Sequence, residues 1–324
     1  MRAVVLTEPG RVEVVEGWPD PQCGPDDVVV EMRGVGLCGT DLAMVDGKAA
    51  PPQFPWVIGH EGGGVIAAVG ERVTDRKVGD RVVIEPNFGC GTCAVCAAGH
   101  TSRCDARLSA GFNVPGLLSE LVAVPAEYTW VVPESISDVQ LACLEPLAVA
   151  HHAVLRSGVR AGQECLVIGA GSVGQLISQC VLAVGGVPVV TDPHPGRLEV
   201  ATSLGARVEE GPRAGRYPHV FETSGVGAVW PGALEAAARG GVITLIGFMR
   251  DTVELTPVEL VRRQITVRGH LIYDHPADFA ATIETVAEGR LVPEQAVQAT
   301  FAAEDAVAAF AAVRQVPGKT WIRW

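Results

Sequence analysis

Along the first half of the chain, apolar residues come in short β-branched runs cut by Gly, Pro or Asp. Residues 28–32, 64–69 and 80–84 carry this pattern and read as strands of a β-rich region. From about residue 153 the texture changes. Residues 164–168 form a continuous apolar run that reads as a buried strand, and 173–185 carry a helical pattern. A strand at 187–191, a helix at 197–204 and strands at 219–222 and 241–246 continue the alternation. Strand–helix alternation with strands apolar on both faces predicts a parallel, doubly wound sheet. After Tyr273 the pattern turns to helices at 278–288 and 304–313 and a closing strand at 319–323. The fold class is therefore α/β, with the alternating unit inserted into a β-rich domain. The expected division is 1–152 with 274–324 for the β-rich domain and 153–273 for the doubly wound one. A chain of 324 residues is long enough for two cores.

Gly169, Gly171 and Gly174 make a G-x-G-x-x-G pattern directly after one predicted strand and at the start of a helix. In that context each glycine has a mechanical role. Gly169 makes the tight turn, Gly171 allows close approach of a pyrophosphate, and Gly174 allows helix–strand packing. Ser172 and Val173 open the helix, whose free N–H groups and positive dipole end suit phosphate. Asp192, at the end of the second strand, can accept hydrogen bonds from ribose hydroxyls and would repel a 2′-phosphate. NAD is thus expected over NADP. Asp192 could instead cap the turn that it begins, and Arg197 just beyond could receive a phosphate, lie over the adenine or start the next helix. Gly247 and Phe248, past the 241–246 strand, are further expected cofactor contacts.

Cys90, Cys93, Cys96 and Cys104 follow a C-x2-C-x2-C-x7-C spacing in a glycine-rich segment. Four thiolates so placed can close around one tetrahedral zinc. Two disulfides are the alternative, but the odd total of nine cysteines and the lack of a secretion signal near Met1 favour a reducing cytoplasm. Cys38 and His60 in glycine-rich turns, with Glu145 in an apolar run, supply thiolate, imidazole and carboxylate. Such a trio can hold a second zinc with one position open.

These pieces occur in one order: Cys38-Gly39-Thr40-Asp41, Gly59-His60-Glu61, the four cysteines, Glu145-Pro146-Leu147-Ala148-Val149 and the glycine motif. Together they resemble the medium-chain, zinc-dependent alcohol dehydrogenases, on their polyol and threonine dehydrogenase side. The resemblance spans nearly the whole chain. It implies a GroES-like β-rich catalytic domain and a Rossmann cofactor domain, with two zinc ions per chain. Cys38, His60 and Glu145 would be ligands of the catalytic zinc, and Glu61 a ligand that exchanges with water or substrate. Thr40 would lie on the proton path and Asp41 would orient His60, though both types also suit a helix cap. The implied reaction takes a hydride from a secondary alcohol (a polyol, amino alcohol or cyclitol) to NAD, giving the ketone, in a cleft between the domains. An NADPH-dependent ketone reductase or a non-catalytic member of the same fold are the alternatives.

Two positions depart from the family pattern. Ala43 stands where many members carry a proton-relaying histidine, and Ile272 where polyol-type members carry arginine. His152 matches a position often filled by histidine; it and His151 read as structural residues of a linking helix. A net charge of −12 argues against nucleic acid or an anionic membrane as partner. The resemblance further suggests a homodimer or homotetramer.

Overall fold

The computed structural model of the chain describes residues 1–211 and 213–324. It divides into two compact units. The first holds Met1–Glu145, Asp274–Gly289 and Val297–Trp324; the second holds Pro146–Tyr273 and Arg290–Ala296. The boundary thus falls at Glu145 and Pro146 rather than at residue 152, inside a single helix, Asp138–Ser157. Residues 290–296, expected in the β-rich domain, belong to the second unit, where the Val292 N–H donates to Gln179 Oε1.

In the first unit the central strand is Asp27–Gly36. Its valines alternate or run together on buried positions, with Val28, Val30 and Val35 fully buried. It pairs antiparallel with Glu61–Val69, Leu121–Pro125 and Lys319–Arg323. Arg81–Ile84 and Thr129–Val131 extend the sheet on one side, and Val297–Ala302 on the other. A smaller sheet joins Arg11–Val15, Ala3–Glu8 and Trp56–Val57. Both sheets feed one apolar core that includes Val4, Leu6, Ile58, Ile66, Leu117 and Leu118. The strand Glu61–Val69 begins directly after His60, and Lys319 opens the closing strand two ladders away. Gly36 pairs with Glu61 on one side and Trp321 on the other, and the Glu61 and Lys319 side chains meet over it from distant parts of the chain.

The second unit carries a six-stranded parallel sheet among the described residues. In space the strands run Arg207–Val208, Val187–Thr191, Glu164–Ile168, Tyr217–Glu222, Ala237–Leu245 and Thr266–Gly269. In chain order this is 3-2-1-4-5-6, the arrangement that opens a crevice between strands 1 and 4 for a dinucleotide. Cys165, Leu166, Val167 and Ile168 are all buried, as a strand covered on both faces requires. The helix Ser172–Ala183 packs on it through Leu176, Ile177, Cys180 and Val181. The helices expected at 278–288 and 304–313 are Ala277–Ala287 and Ala306–Ala312, the latter preceded by a 3-10 turn at Ala303–Asp305. Among the described residues, no helix is long and apolar enough to cross a membrane.

Candidate active site: two metal-ligand clusters and a dinucleotide cradle

The donor atoms of Cys38, His60 and Glu61 all lie within 4.8 Å of one another. Cys38 is the N-cap of the short helix Gly39–Val45. Asp41, in that helix's first turn, accepts from the Cys38 N–H at 2.9 Å and from the Gly59 N–H at 3.2 Å. Its Oδ1 also lies 3.3 Å from His60 Nδ1. The helix cap that the residue type suggested and the place beside His60 that the resemblance implied thus meet in one buried carboxylate. Thr40 Oγ1 sits 3.4 Å from the other ring nitrogen, His60 Nε2. Burial disfavours a charged imidazole, yet Asp41 and Cys38 outweigh it and hold His60 well above the usual histidine range. A soft thiolate, an imidazole and a carboxylate gathered in a negatively biased pocket are a donor set that suits zinc.

The carboxylate gathered here is Glu61, where the sequence pointed first to Glu145. The reason is local: Glu61 follows His60 directly and enters the sheet beside it. Glu145 comes from a helix and stays outside the group within 4.8 Å. It is 4% exposed, with Oε1 3.5 Å from Asn87 Nδ2. Asn87 is oriented in turn by the Ser109 hydroxyl, which donates to its Oδ1 at 2.9 Å.

The sequence reading missed Lys319. Its ammonium is 1% exposed and pairs with the equally buried Glu61 carboxylate. It also donates to the Leu37 carbonyl at 3.4 Å. Burial alone would lower its pKa, but Glu61, Cys38 and Cys143 raise it above the ordinary lysine value. The available signal was the rarity of lysine: only three occur in the chain, at 48, 77 and 319.

Cys90, Cys93, Cys96 and Cys104 form the second cluster, again with donor atoms within 4.8 Å. All four are free thiols, and Cys93 and Cys104 Sγ stand 3.9 Å apart, well beyond a disulfide bond. Backbone N–H groups of Thr92 and Cys93 point at Cys90 and bring it down to about 6, whereas burial pushes Cys96 up to about 12. Donors aimed at a thiolate, inside a closed ring of four sulfurs, fit a tetrahedral structural zinc.

In the second unit the glycine motif forms the turn between Glu164–Ile168 and the helix Ser172–Ala183. Gly169 has φ +97°, a conformation side chains disfavour, and a Cβ at Gly174 would collide with the Gly169 carbonyl. A Cβ at Gly171 would meet nothing within 4 Å, so the backbone there is open to a ligand. Ser172 and Val173 begin the helix whose N–H groups face that opening. Asp192 accepts from the Ala170 N–H and the His194 N–H, each at 2.8 Å, and stands 3.6 Å from Arg197 Nη1. It therefore holds the glycine turn and caps its own turn. Arg197 lies in the helix Pro195–Ser203. Gly247 donates its N–H to the Glu222 carbonyl, and Phe248 beside it is 63% exposed. Glu222 itself was not singled out from sequence. Its buried carboxylate takes the N–H groups of Ser224 and Gly225, ordering the loop past the fourth strand.

With this geometry established, comparison with known proteins places the chain. Residues 24–134 match the family described as Alcohol dehydrogenase GroES-like domain, and residues 172–288 match Zinc-binding dehydrogenase. A 2-dehydro-3-deoxy-L-galactonate 5-dehydrogenase of Pseudoalteromonas atlantica is 31% identical, with 92% of this chain and 91% of the relative covered. A D-xylulose reductase of Morganella morganii is 31% identical, covering 96% of each. The crystal structure of the alcohol dehydrogenase RspB from Escherichia coli CFT073, complexed with NADH, superposes with a TM-score of 0.92 at 25% identity. That match covers 100% of this chain and 99% of the other. Fold, motif order and relatives agree: the chain belongs to the zinc-type medium-chain alcohol dehydrogenases and is an oxidoreductase of that family.

Proposed function

We propose that the chain oxidises a secondary alcohol bearing further hydroxyl or amino groups to the ketone, with NAD as hydride acceptor. The observation that carries this is the gathering of Cys38, His60 and Glu61 around one point, with the Thr40 hydroxyl beside His60. Cys38, His60 and Glu61 would hold a zinc ion, with Glu145 available as an exchanging carboxylate from its helix. That assignment reverses the roles the resemblance implied for the two glutamates. Zinc bound there supplies a Lewis acid that makes a substrate hydroxyl more acidic. The Thr40 hydroxyl, placed 3.4 Å from His60 Nε2, would relay the substrate's hydroxyl proton by accepting it as it passes its own proton on. A bound NAD would supply the hydride acceptor. With Ala43 on the same helix, no histidine follows Thr40 there to receive the proton, and solvent or a hydroxyl of the bound cofactor would take that role. Asp41 keeps the His60 ring in register by facing Nδ1.

The cofactor assignment rests on the glycine turn and on Asp192, a carboxylate at the strand end where an adenosine ribose lies in such sheets. A 2′-phosphate would meet that charge, which favours NAD over NADP; RspB was solved with NADH. Ile272, in place of a charged residue, supports a substrate less polar at that end than a simple sugar alcohol. The four-cysteine cluster would hold a second, structural zinc. A homodimer or homotetramer in the cytoplasm agrees with the free thiols and with the family.

A panel of secondary alcohols and ketones with NAD(H) and NADP(H), followed by nicotinamide absorbance, tests this reading. Turnover with NAD on polyols or amino alcohols, lost in Cys38→Ala, is the expected result. Equal turnover with NADP, or activity that survives Cys38→Ala within tenfold, would overturn it.

A further inference from the structure

Two histidines outside the two cysteine-bearing clusters are tied to backbone in a reciprocal way. His152, on the helix Asp138–Ser157, places Nδ1 3.0 Å from the Ile272 carbonyl oxygen. His270, just past the strand Thr266–Gly269, places Nε2 3.0 Å from the Val149 carbonyl oxygen. A carbonyl only accepts, so each of these ring nitrogens carries the hydrogen and donates. Val149 and His152 are one helical turn apart, and His270 and Ile272 are two residues apart just past the last strand. Helix and strand exit therefore each contribute one imidazole and one carbonyl. The rings lie 5.0 Å apart, and Arg268 adds a third tie to the Arg156 carbonyl. Burial holds His270 down at about 4, with His152, Arg156 and Arg268 also opposing its charge, so it donates as a neutral ring.

The position of this brace matters. The pyrophosphate cradle lies at the end of strand 1, and Asp192 marks the adenosine side over strand 2. The other half of a dinucleotide then runs over the ends of strands 4, 5 and 6. Those three ends are linked in a row: Ile246 and Gly247 donate to the Glu222 carbonyl, and the His270 N–H donates to the Leu245 carbonyl at 2.9 Å. Residues 270–272 are the last exit of that row.

We propose that His152 and His270 are positioning residues for the nicotinamide half of the cofactor, fixing the 270–272 backbone over which it lies. The inference rests on the dehydrogenase reading above. It is tested by titrating full-length wild type, His152→Ala and His152→Asn with NADH and, separately, with ADP-ribose, which lacks the nicotinamide. Loss of one ordering hydrogen bond should weaken NADH about tenfold in His152→Ala. ADP-ribose affinity should stay within about twofold, because its contacts lie over strands 1 and 2. Asparagine can present an N–H near the position of Nδ1, so His152→Asn should recover most of the NADH affinity. Equal weakening of both ligands, or unchanged NADH binding in His152→Ala, would overturn the brace. Wild type that fails to bind NADH would overturn the dehydrogenase reading, and the brace with it.

Discussion

Replacing Lys319 by methionine would remove the cation from one of the most completely buried ion pairs in the protein. Both Lys319 and Glu61 are 1% exposed, so neither charge has water to fall back on. Breaking such a pair from one side costs about 3–5 kcal/mol, because the remaining carboxylate is left desolvated without a partner. The cost here should fall within that range rather than above it. Cys38 adds negative character beside Glu61, while the nearby His60 ring, held well above the usual histidine range, offsets part of the lost positive charge. Methionine keeps most of the stem volume, which separates loss of charge from loss of packing. The double variant Glu61→Gln, Lys319→Met removes both charges and should recover about half or more of the lost stability. Urea unfolding of the zinc-free protein, followed by tryptophan fluorescence, measures all three. Zinc should narrow the gap between wild type and the single variant, because a dication beside Glu61 supplies the missing charge. A single variant within about 1 kcal/mol of wild type would refute the reasoning. So would a double variant no more stable than the single one.

Cys104→Ser, at the buried member of the four-sulfur cluster, should lower the zinc content by about one ion per chain. Stability should fall before the turnover of whatever protein remains folded, measured by metal analysis beside activity. His270 gives a pH dependence with a defined sign. Its folded value of about 4 lies below the usual 6.5, so its contribution is intact above pH 6.5 and fades as pH falls towards 4. The full effect is about 3 kcal/mol, and a His270→Gln variant should flatten that part of the stability curve between pH 7 and 4.

Much of the site was legible because its signals are local. The glycine turn, the four cysteines and the Cys38–Asp41 and Gly59–Glu61 segments each place their residues within a few positions of one another, where backbone geometry alone relates them. The alternation of apolar strands and helices from residue 164 onward was equally direct, since parallel strands must be apolar on both faces and helices must repeat every 3.6 residues.

What only tertiary structure decided is which distant residues meet. Lys319 reaches Glu61 across 258 positions of sequence because the closing strand joins the sheet beside the central one. That same sheet put Glu61 beside Cys38 and His60, and the division between the two units falls inside the long helix Asp138–Ser157. The His152 and His270 brace closes over more than a hundred residues, and neither histidine has a sequence neighbour that hints at its partner. Periodicity and spacing report the short-range conformational preferences of the chain. Charge pairing and hydrogen bonding across strands depend on register, which is set by how whole faces bury and not by any local pattern.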